Sequence, residues 1–220
     1  MSAVVADAAK IFKWEPDVGA GVSVSADGAS LAVAHESEHE YGFWCVKAAP
    51  VAAEREEDPG YEYRFSIRID ALSEDHTLFI GVCTQSMPTK MRPGDDLPGS
   101  LLLGPQGWAF FCNNDKKFHN NAGEDYVPCP PLCFVRGCQD GDVLGVAISS
   151  EGVLSFQRNG DDFGPAYGDI PHGTVPCVMM KYDAIHPLRI TIGACGQFPI
   201  PDPLHWAQPL ETHPACQAAF

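Results

Sequence analysis

One short stretch constrains the fold more than any other part of this 220-residue chain. Apolar and polar residues are interspersed from Val153 to Arg158, and the segment ends at Asn159-Gly160. Both turn residues tolerate a positive φ, which the tight type I′ turn of a β-hairpin requires. A short apolar run at residues 142–148 precedes them, directly after Gly141. The sequence therefore predicts three consecutive antiparallel strands between residues 142 and 167.

Two further segments also have the patterns of β-strands. Residues 61–69 alternate strictly, which places one set on a single face: Tyr61, Tyr63, Phe65, Ile67 and Ile69. Residues 78–83 are continuously apolar, as expected of a strand that is buried on both faces. Long loops are expected at 84–99 and 113–140. About twelve short strands without helical periodicity favour an all-β antiparallel sandwich.

The net charge of 14 − 29 = −15 limits the classes of partner. Such a surface repels phosphate groups, so nucleic acid and anionic membranes are not expected as partners. The acidic residues are spread along the chain as in solvated loops, and a basic protein partner is the alternative interpretation. No apolar stretch approaches the roughly 18 residues of a membrane span, so we expect no membrane insertion.

The nine cysteines indicate reduced thiols rather than a disulfide framework. Their number is odd, and the first ten residues lack the pattern of a secretory signal. Four of them lie in strand-like apolar contexts: Cys45, Cys83, Cys177 and Cys195. We therefore expect a cytoplasmic protein with buried thiols.

Seven segments in register connect the chain to a known family. They are Val22–Gly28 after Trp14, Glu62–Ile69, Phe79–Thr84, Gly107–Phe110 with Lys117–Asn120, Gly141–Val146, Val153–Tyr167 and Pro176–Tyr182. In this order they resemble the SPRY domain, the core of the B30.2 family. The resemblance covers about residues 14–193 and implies a bent antiparallel β-sandwich, a concanavalin-like jelly roll of the SPRY type.

The resemblance also implies a function and a place for it. SPRY domains are non-catalytic modules that bind a peptide or loop of a partner protein through loops at one end of the sandwich. Here these would be the stretch before Val22, the loop from Thr84 to Gly99, and the turn at Tyr182-Asp183. The candidate partner-binding residues are Thr84, Pro98, Gly99, Tyr182 and Asp183.

Some peptide-binding members of that family carry a tyrosine before one strand and a Trp-Gly pair in a later one. Pro98-Gly99 and Tyr182-Asp183 stand at these positions, so this chain departs from the pattern at both. The expected organisation is a lead-in segment at 1–13, the sandwich at 14–195, and a proline-rich extended segment at 196–220. We expect a monomer with a protein or peptide partner and no cofactor.

Three other chemistries remain as alternatives. His35 and His39 complete an H-E-x-x-H pattern, but a zinc hydrolase needs that pattern on a helix, and residues 31–34 indicate a strand. Cys129, Cys133 and Cys138, with His119, leave a structural zinc site open, although their spacings are not those of paired knuckles. A lectin-like or glycan-processing sandwich would use the same layered architecture.

Overall fold

The computed structural model describes residues 13–15, 22–33, 43–48, 61–72, 77–87, 90–91, 104–120, 122–127, 137–181 and 188–199. These residues contain fourteen β-strands and no helix. The strands are β1 (Val22–Val24), β2 (Ser30–Val33), β3 (Phe43–Lys47), β4 (Tyr61–Ala71), β5 (Thr77–Cys83), β6 (Lys90–Met91), β7 (Gly107–Phe111), β8 (Lys116–His119), β9 (Ala122–Asp125), β10 (Val143–Ser149), β11 (Leu154–Arg158), β12 (Asp161–Tyr167), β13 (Val175–Lys181) and β14 (Arg189–Pro199).

The strands form two seven-stranded antiparallel sheets. The first sheet has the order β1-β2-β14-β4-β10-β11-β12, and the second has the order β6-β3-β13-β5-β7-β8-β9. Each sheet mixes strands from the first and second halves of the chain, so neither can form from one continuous segment. This architecture confirms the predicted all-β sandwich.

The hairpin at Asn159-Gly160 forms as predicted. Both residues have a positive φ, 55° at Asn159 and 93° at Gly160, as the tight turn requires. The Asn159 side chain also ties the turn to β10, because its Oδ1 accepts a hydrogen bond from the Val143 backbone N–H at 2.9 Å. Its Nδ2 donates to Asp142 at 2.7 Å. An asparagine here therefore supplies both the backbone conformation and two hydrogen bonds.

The core lies between the sheets because alternate residues of each strand point inward. On β4, Phe65, Ile67 and Ile69 are buried, whereas Arg68 between them is exposed. This is the face that the alternation at residues 61–69 predicts. Inward residues of both sheets join in one cluster that contains Trp14, Phe110 and Phe156. Burying a large apolar side chain contributes roughly 1.5–3 kcal/mol.

The second sheet is buried on both of its faces. On β5, Leu78, Ile80 and Val82 belong to the core between the sheets, whereas Phe79 and Cys83 belong to a separate apolar cluster. Successive side chains of a strand point to opposite faces, so this second cluster lies on the outer face of the sheet. The continuous apolar run at residues 78–83 is explained by this double burial.

Two of the expected loops contain strands. Residues 116–125 form the hairpin of β8 and β9, so the prediction of a long loop over 113–140 is wrong in that part. β6 interrupts the loop expected at 84–99 and pairs with β3. The last strand, β14, passes the expected domain boundary at residue 195 and pairs with β4 as far as Pro199. No helix of the described residues has the length and apolarity to cross a bilayer.

Candidate functional site

The register of β5 and β13 determines which loops can share a surface. Cys83 pairs with Val175 and Thr77 pairs with Lys181. Thr84 follows Cys83, so it lies at the end of the sheet opposite to Lys181. Thr84 is therefore separated by the length of this strand pair from Lys181, the last described residue before the predicted turn at Tyr182-Asp183.

Thr84 itself belongs to a closed local turn. Its backbone N–H donates to the Gln106 carbonyl at 2.9 Å, and its own carbonyl accepts from the Met87 N–H at 3.1 Å. Its hydroxyl lies 3.1 Å from that of Ser86. With its backbone groups bonded and its side chain half-buried, Thr84 helps to join β5 to β7 at this end.

The other four candidate residues, Pro98, Gly99, Tyr182 and Asp183, lie outside the described residues. The chain after Thr84 nevertheless crosses the sheet within a few residues. Met91 of β6 pairs with Phe43, and Phe43 pairs with Lys181. The loop that starts at Thr84 therefore reaches the Lys181 side by residue 91.

Several strands begin or end on the same side of the domain as Lys181. We call this side the Arg189 end. In the first sheet, Arg189 at the start of β14 pairs with Ala32 and Ala71. Val22, the first residue of β1, pairs with Val33 at the same end. The stretch before Val22 and the segment after Lys181 both adjoin it. Two of the three loops that the sequence predicts for binding thus start or finish at the Arg189 end.

A groove of about 610 Å³ opens on the outer face of the first sheet near this end. Its position follows from the alternation, because Ile69 and Ile190 point into the core and their neighbours Arg68, Asp70 and Arg189 point outward. The lining residues come from four adjacent strands and the β1–β2 turn: Ser23, Val24, Ser25, Ser30, Leu31, Ala32, Arg68, Asp70 and Arg189. Most of these are polar, so the groove suits a hydrated or hydrogen-bonding ligand.

Asp70 is held at the groove by two donors. Arg68 Nε donates to Oδ1 and Thr191 Oγ1 donates to Oδ2, both at 2.6 Å. Since the Thr191 hydroxyl has a single proton, Ser30, whose hydroxyl lies 3.0 Å away, donates to Thr191 in turn. The partial burial of Asp70 favours a higher pKa, but these hydrogen bonds and the charges of Arg68 and Arg189 outweigh it and lower the pKa. The carboxylate therefore stays ionised.

The groove has a local charge opposite to that of the whole chain. It brings two guanidinium groups, Arg68 and Arg189, to one carboxylate, Asp70. Arg68 is engaged with Asp70, and Arg189 is exposed at the start of β14. Such an arrangement can bind a carboxylate or a carbonyl oxygen, because a guanidinium presents several N–H donors in a fixed geometry.

A comparison with protein-family models matches the SPRY domain over residues 62–192. This segment covers more than half of the chain and includes strands of both sheets. The chain belongs to the SPRY domain family. Members of this family are generally protein-interaction modules, which agrees with the function implied by the sequence resemblance. A search of curated protein sequences found no significant match.

Solved structures place this SPRY domain in the same fold. The SPRY domain of human HERC1 superposes with a TM-score of 0.57 at 13% identity, covering 82% of this chain and 97% of that one. A second human SPRY domain gives 0.55 at 18% identity, with 81% and 95% covered. The PSpry domain of TRIM65 gives 0.53 at 16% identity, with 84% and 92% covered. At these identities the likeness shows the fold alone.

The residues of the alternative zinc sites are only partly described in this SPRY domain. His35, His39, Cys129 and Cys133 lie outside the described residues. His119 stacks on the Trp108 ring with centroids 4.9 Å apart, and its Nδ1 lies 2.8 Å from the Gly107 carbonyl. Within the described part of the chain, neither His119 nor Cys138 belongs to a cluster of three potential metal ligands.

The aromatic residues that a lectin-like site would use are mostly in the core. Phe65, Trp108, Phe110 and Phe156 are buried, and Tyr63 packs against the same cluster. The groove residues Arg68, Asp70 and Arg189 were not predicted from the sequence. Their only signal was the polar, outward half of the alternation on β4 and β14, which is also what any solvated strand face shows.

Proposed function

We propose that this SPRY domain is a non-catalytic module that binds a peptide or loop of a partner protein at the Arg189 end. The observation that carries this proposal is the groove on the outer face of the first sheet. It lies beside the starts of β1 and β14, where two of the loops expected to bind partners adjoin the sandwich. The groove supplies a floor, and those loops would supply the walls.

The chemistry of the floor suggests an extended, polar segment as the ligand. Ser23, Ser30 and Arg189 offer hydrogen-bonding groups within the groove. Asp70 is held in position by Thr191 and Arg68, so the charge pattern is present before the ligand arrives. A preformed site loses less conformational entropy on binding. Arg189 is the residue that would bind a carboxylate or a main-chain carbonyl of the partner.

The net charge of the whole domain acts over a longer distance than the charges of the groove residues. A net charge of −15 attracts basic proteins and accelerates their association at low salt. The partner we propose is therefore basic overall, with an acidic or carbonyl group in the segment that contacts Arg189. The domain would act as a monomer, since a single copy carries the complete groove.

The test combines an unbiased ligand search with a charge-matched pair of variants. A displayed peptide library selected on the full chain should yield binders whose affinity is then measured by calorimetry. Arg189→Glu should weaken them at least about 10-fold, because it removes the donor and adds repulsion. Lys116→Glu changes the net charge equally, but it lies on β8 of the other sheet and should have little effect.

The loops are tested separately from the groove. The double variant Tyr182→Ala, Asp183→Ala should also weaken binding if the turn after Lys181 forms a wall of the site. Equal binding by the wild type and Arg189→Glu would contradict the groove as the site. A glycan array with specific hits, together with a peptide library that yields none, would replace the proposal by a lectin-like function.

A further inference from the structure

Three cysteines converge on the outer face of the second sheet. Cys45, Cys177 and Cys83 lie on β3, β13 and β5, which are adjacent in that order. Cys45 pairs with Met179 and Cys83 pairs with Val175, so each is two positions away from the residue that faces Cys177. The three side chains form a diagonal across the sheet. Their sulfur atoms all lie within 4.8 Å of one another, and each residue is at most 1% exposed.

The surroundings of the three thiols are dry and contain sulfur rather than oxygen or nitrogen ligands. The cluster of buried residues on this face includes the thioethers Met87 and Met179. Its other members are apolar, and among the described residues no histidine, aspartate or glutamate joins the three cysteines as a potential ligand. Thiolates and thioethers are soft donors, which select soft metal ions over magnesium or calcium.

A positive charge stands beside the cluster. Lys47 is two residues after Cys45 on β3, and its ammonium donates to the carbonyls of Gln85 at 2.8 Å and Met87 at 3.2 Å. These contacts hold it next to the end of β5. An ammonium held on this side of the cluster offsets part of the negative charge that bound thiolates would bring.

The geometry points to a three-coordinate site for monovalent copper, with Cys45, Cys83 and Cys177 as its ligands. Metal–thiolate bonds of about 2.3 Å to three sulfurs in a plane place those sulfurs about 4 Å apart, which fits their spacing. Zinc in structural sites requires a fourth ligand, and the described residues of the cluster offer only thioethers for that place. The ion enters as Cu(I), the three thiol protons leave to solvent, and no redox step is needed.

The sequence predicts no cofactor, and no spacing motif in it indicates this site. The three ligands are separated by 38 and 94 residues and meet only because β13 lies between β3 and β5. The site is on the second sheet, and the groove is on the first. Its test is therefore independent of the proposed peptide binding.

The experiment titrates the full chain with Cu(I) under anaerobic conditions against a coloured Cu(I) chelator. Other cysteines in the chain can bind copper, so the readout is the difference between matched variants. The control is Cys112→Ser, which removes an equally buried thiol outside the cluster. The wild type and this control should each bind one equivalent of Cu(I) tightly, and Cys83→Ser should not. We expect at least about a 100-fold loss of affinity for that equivalent. Unchanged binding by Cys83→Ser would overturn the proposal.

A second measurement requires no variant, in case Cys83→Ser does not fold. One equivalent of Cu(I), which is diamagnetic, should shift the amide resonances of Cys45, Cys83 and Cys177 in the wild-type protein. X-ray absorption of the same sample should show three sulfur ligands. Amide shifts confined to other cysteines would overturn the proposed location. Displacement of this copper by stoichiometric Zn(II) would overturn the choice of metal.

Discussion

Arg158 and Asp115 form an ion pair that joins the two sheets. Nη1 of Arg158, on β11 of the first sheet, donates to Oδ1 of Asp115 at 2.7 Å, in the turn between β7 and β8 of the second. Their side chains are only 21% and 12% exposed. The other oxygen of Asp115 accepts a hydrogen bond from the Gly137 N–H at 3.2 Å. One carboxylate therefore links three separate parts of the chain.

Loss of this carboxylate should destabilise the fold strongly. Asp115→Ala leaves Arg158 buried without its partner, and it places alanine at a φ of 60°, which asparagine and aspartate tolerate better. We expect a loss of about 3 kcal/mol in the free energy of unfolding, measured by urea denaturation. Asp115→Asn keeps the backbone preference and an acceptor oxygen, so it should cost about half as much. A loss in Asp115→Asn that is indistinguishable from zero would contradict a role for the charge.

Tyr126 should make the domain sensitive to alkali. Its hydroxyl donates to the Gly164 carbonyl, and burial raises its pKa to about 12. In the unfolded chain the phenol ionises near pH 10, so stability is complete below that pH and falls as pH rises toward 12. Urea midpoints between pH 9 and pH 11 should therefore drop faster for the wild type than for Tyr126→Phe. Selective NMR of the tyrosine rings would check the pKa, and a value near 10 would contradict the explanation.

Gly81 should tolerate no side chain. A Cβ built there would lie 2.0 Å from the Trp108 carbonyl oxygen and 2.6 Å from the Ala109 Cα, both backbone atoms of β7. Gly81→Ala should therefore force β5 and β7 apart and cost about 3 kcal/mol. Gly168→Ala is the matched control, since its Cβ would have no neighbour within 4 Å. It should stay within about 0.5 kcal/mol of the wild type, and similar losses for both would count against the close approach.

Thr191 should hold the groove carboxylate in its ionised form. Thr191→Val removes the hydroxyl that donates to Asp70 and accepts from Ser30, so the pKa of Asp70 should rise. A pKa lowered in the folded state stabilises the fold above the unfolded value near 3.9, and that stability is lost as pH falls through the folded value. The variant should therefore lose about 1 kcal/mol at pH 7 and less near pH 3.

A second threonine provides the control for this experiment. Thr174 has a buried hydroxyl with no hydrogen-bond partner among the described residues. Thr174→Val should thus be neutral or stabilising, because it removes an unsatisfied polar atom from the interior. An NMR titration of the Asp70 carboxyl in the wild type and Thr191→Val gives the pKa directly. An unshifted titration would show that Thr191 is not the cause.

Strands with at least one buried face were predictable from the sequence, and the exposed strands β8 and β9 were not. β4 alternates because one face meets the core, and β11 ends at a turn with its own residue signature. β8 and β9 were missed since their eight residues include no buried side chain. Their only sequence signal is the two lysines of β8 and the two acidic residues of β9. These form two ion pairs across the hairpin, Lys117–Glu124 at 3.2 Å and Lys116–Asp125 at 3.7 Å. Exposed ion pairs of this kind contribute little stability and form a weak pattern.

The candidate site depends on register, which composition and alternation do not encode. Thr84 and Tyr182 are both next to strand ends in the sequence. Only the pairing of Cys83 with Val175 shows that Thr84 lies at the end of the sheet opposite to Lys181. The groove residues and the three clustered thiols come from strands distant along the chain. Long-range pairing of this kind is determined by the whole sheet and not by local sequence.

The order of strands also has a consequence for how copies of this chain meet. Among the described residues, β12 forms one edge of the first sheet and β9 forms one edge of the second, and each pairs with a neighbour on one side only. β12 begins with exposed Asp161 and Asp162 and contains Pro165, and β9 ends with exposed Glu124 and Asp125. Open strand edges are templates for intermolecular β-pairing, and charges and proline prevent it. Replacing these carboxylates with apolar residues should therefore increase the tendency of the domain to aggregate.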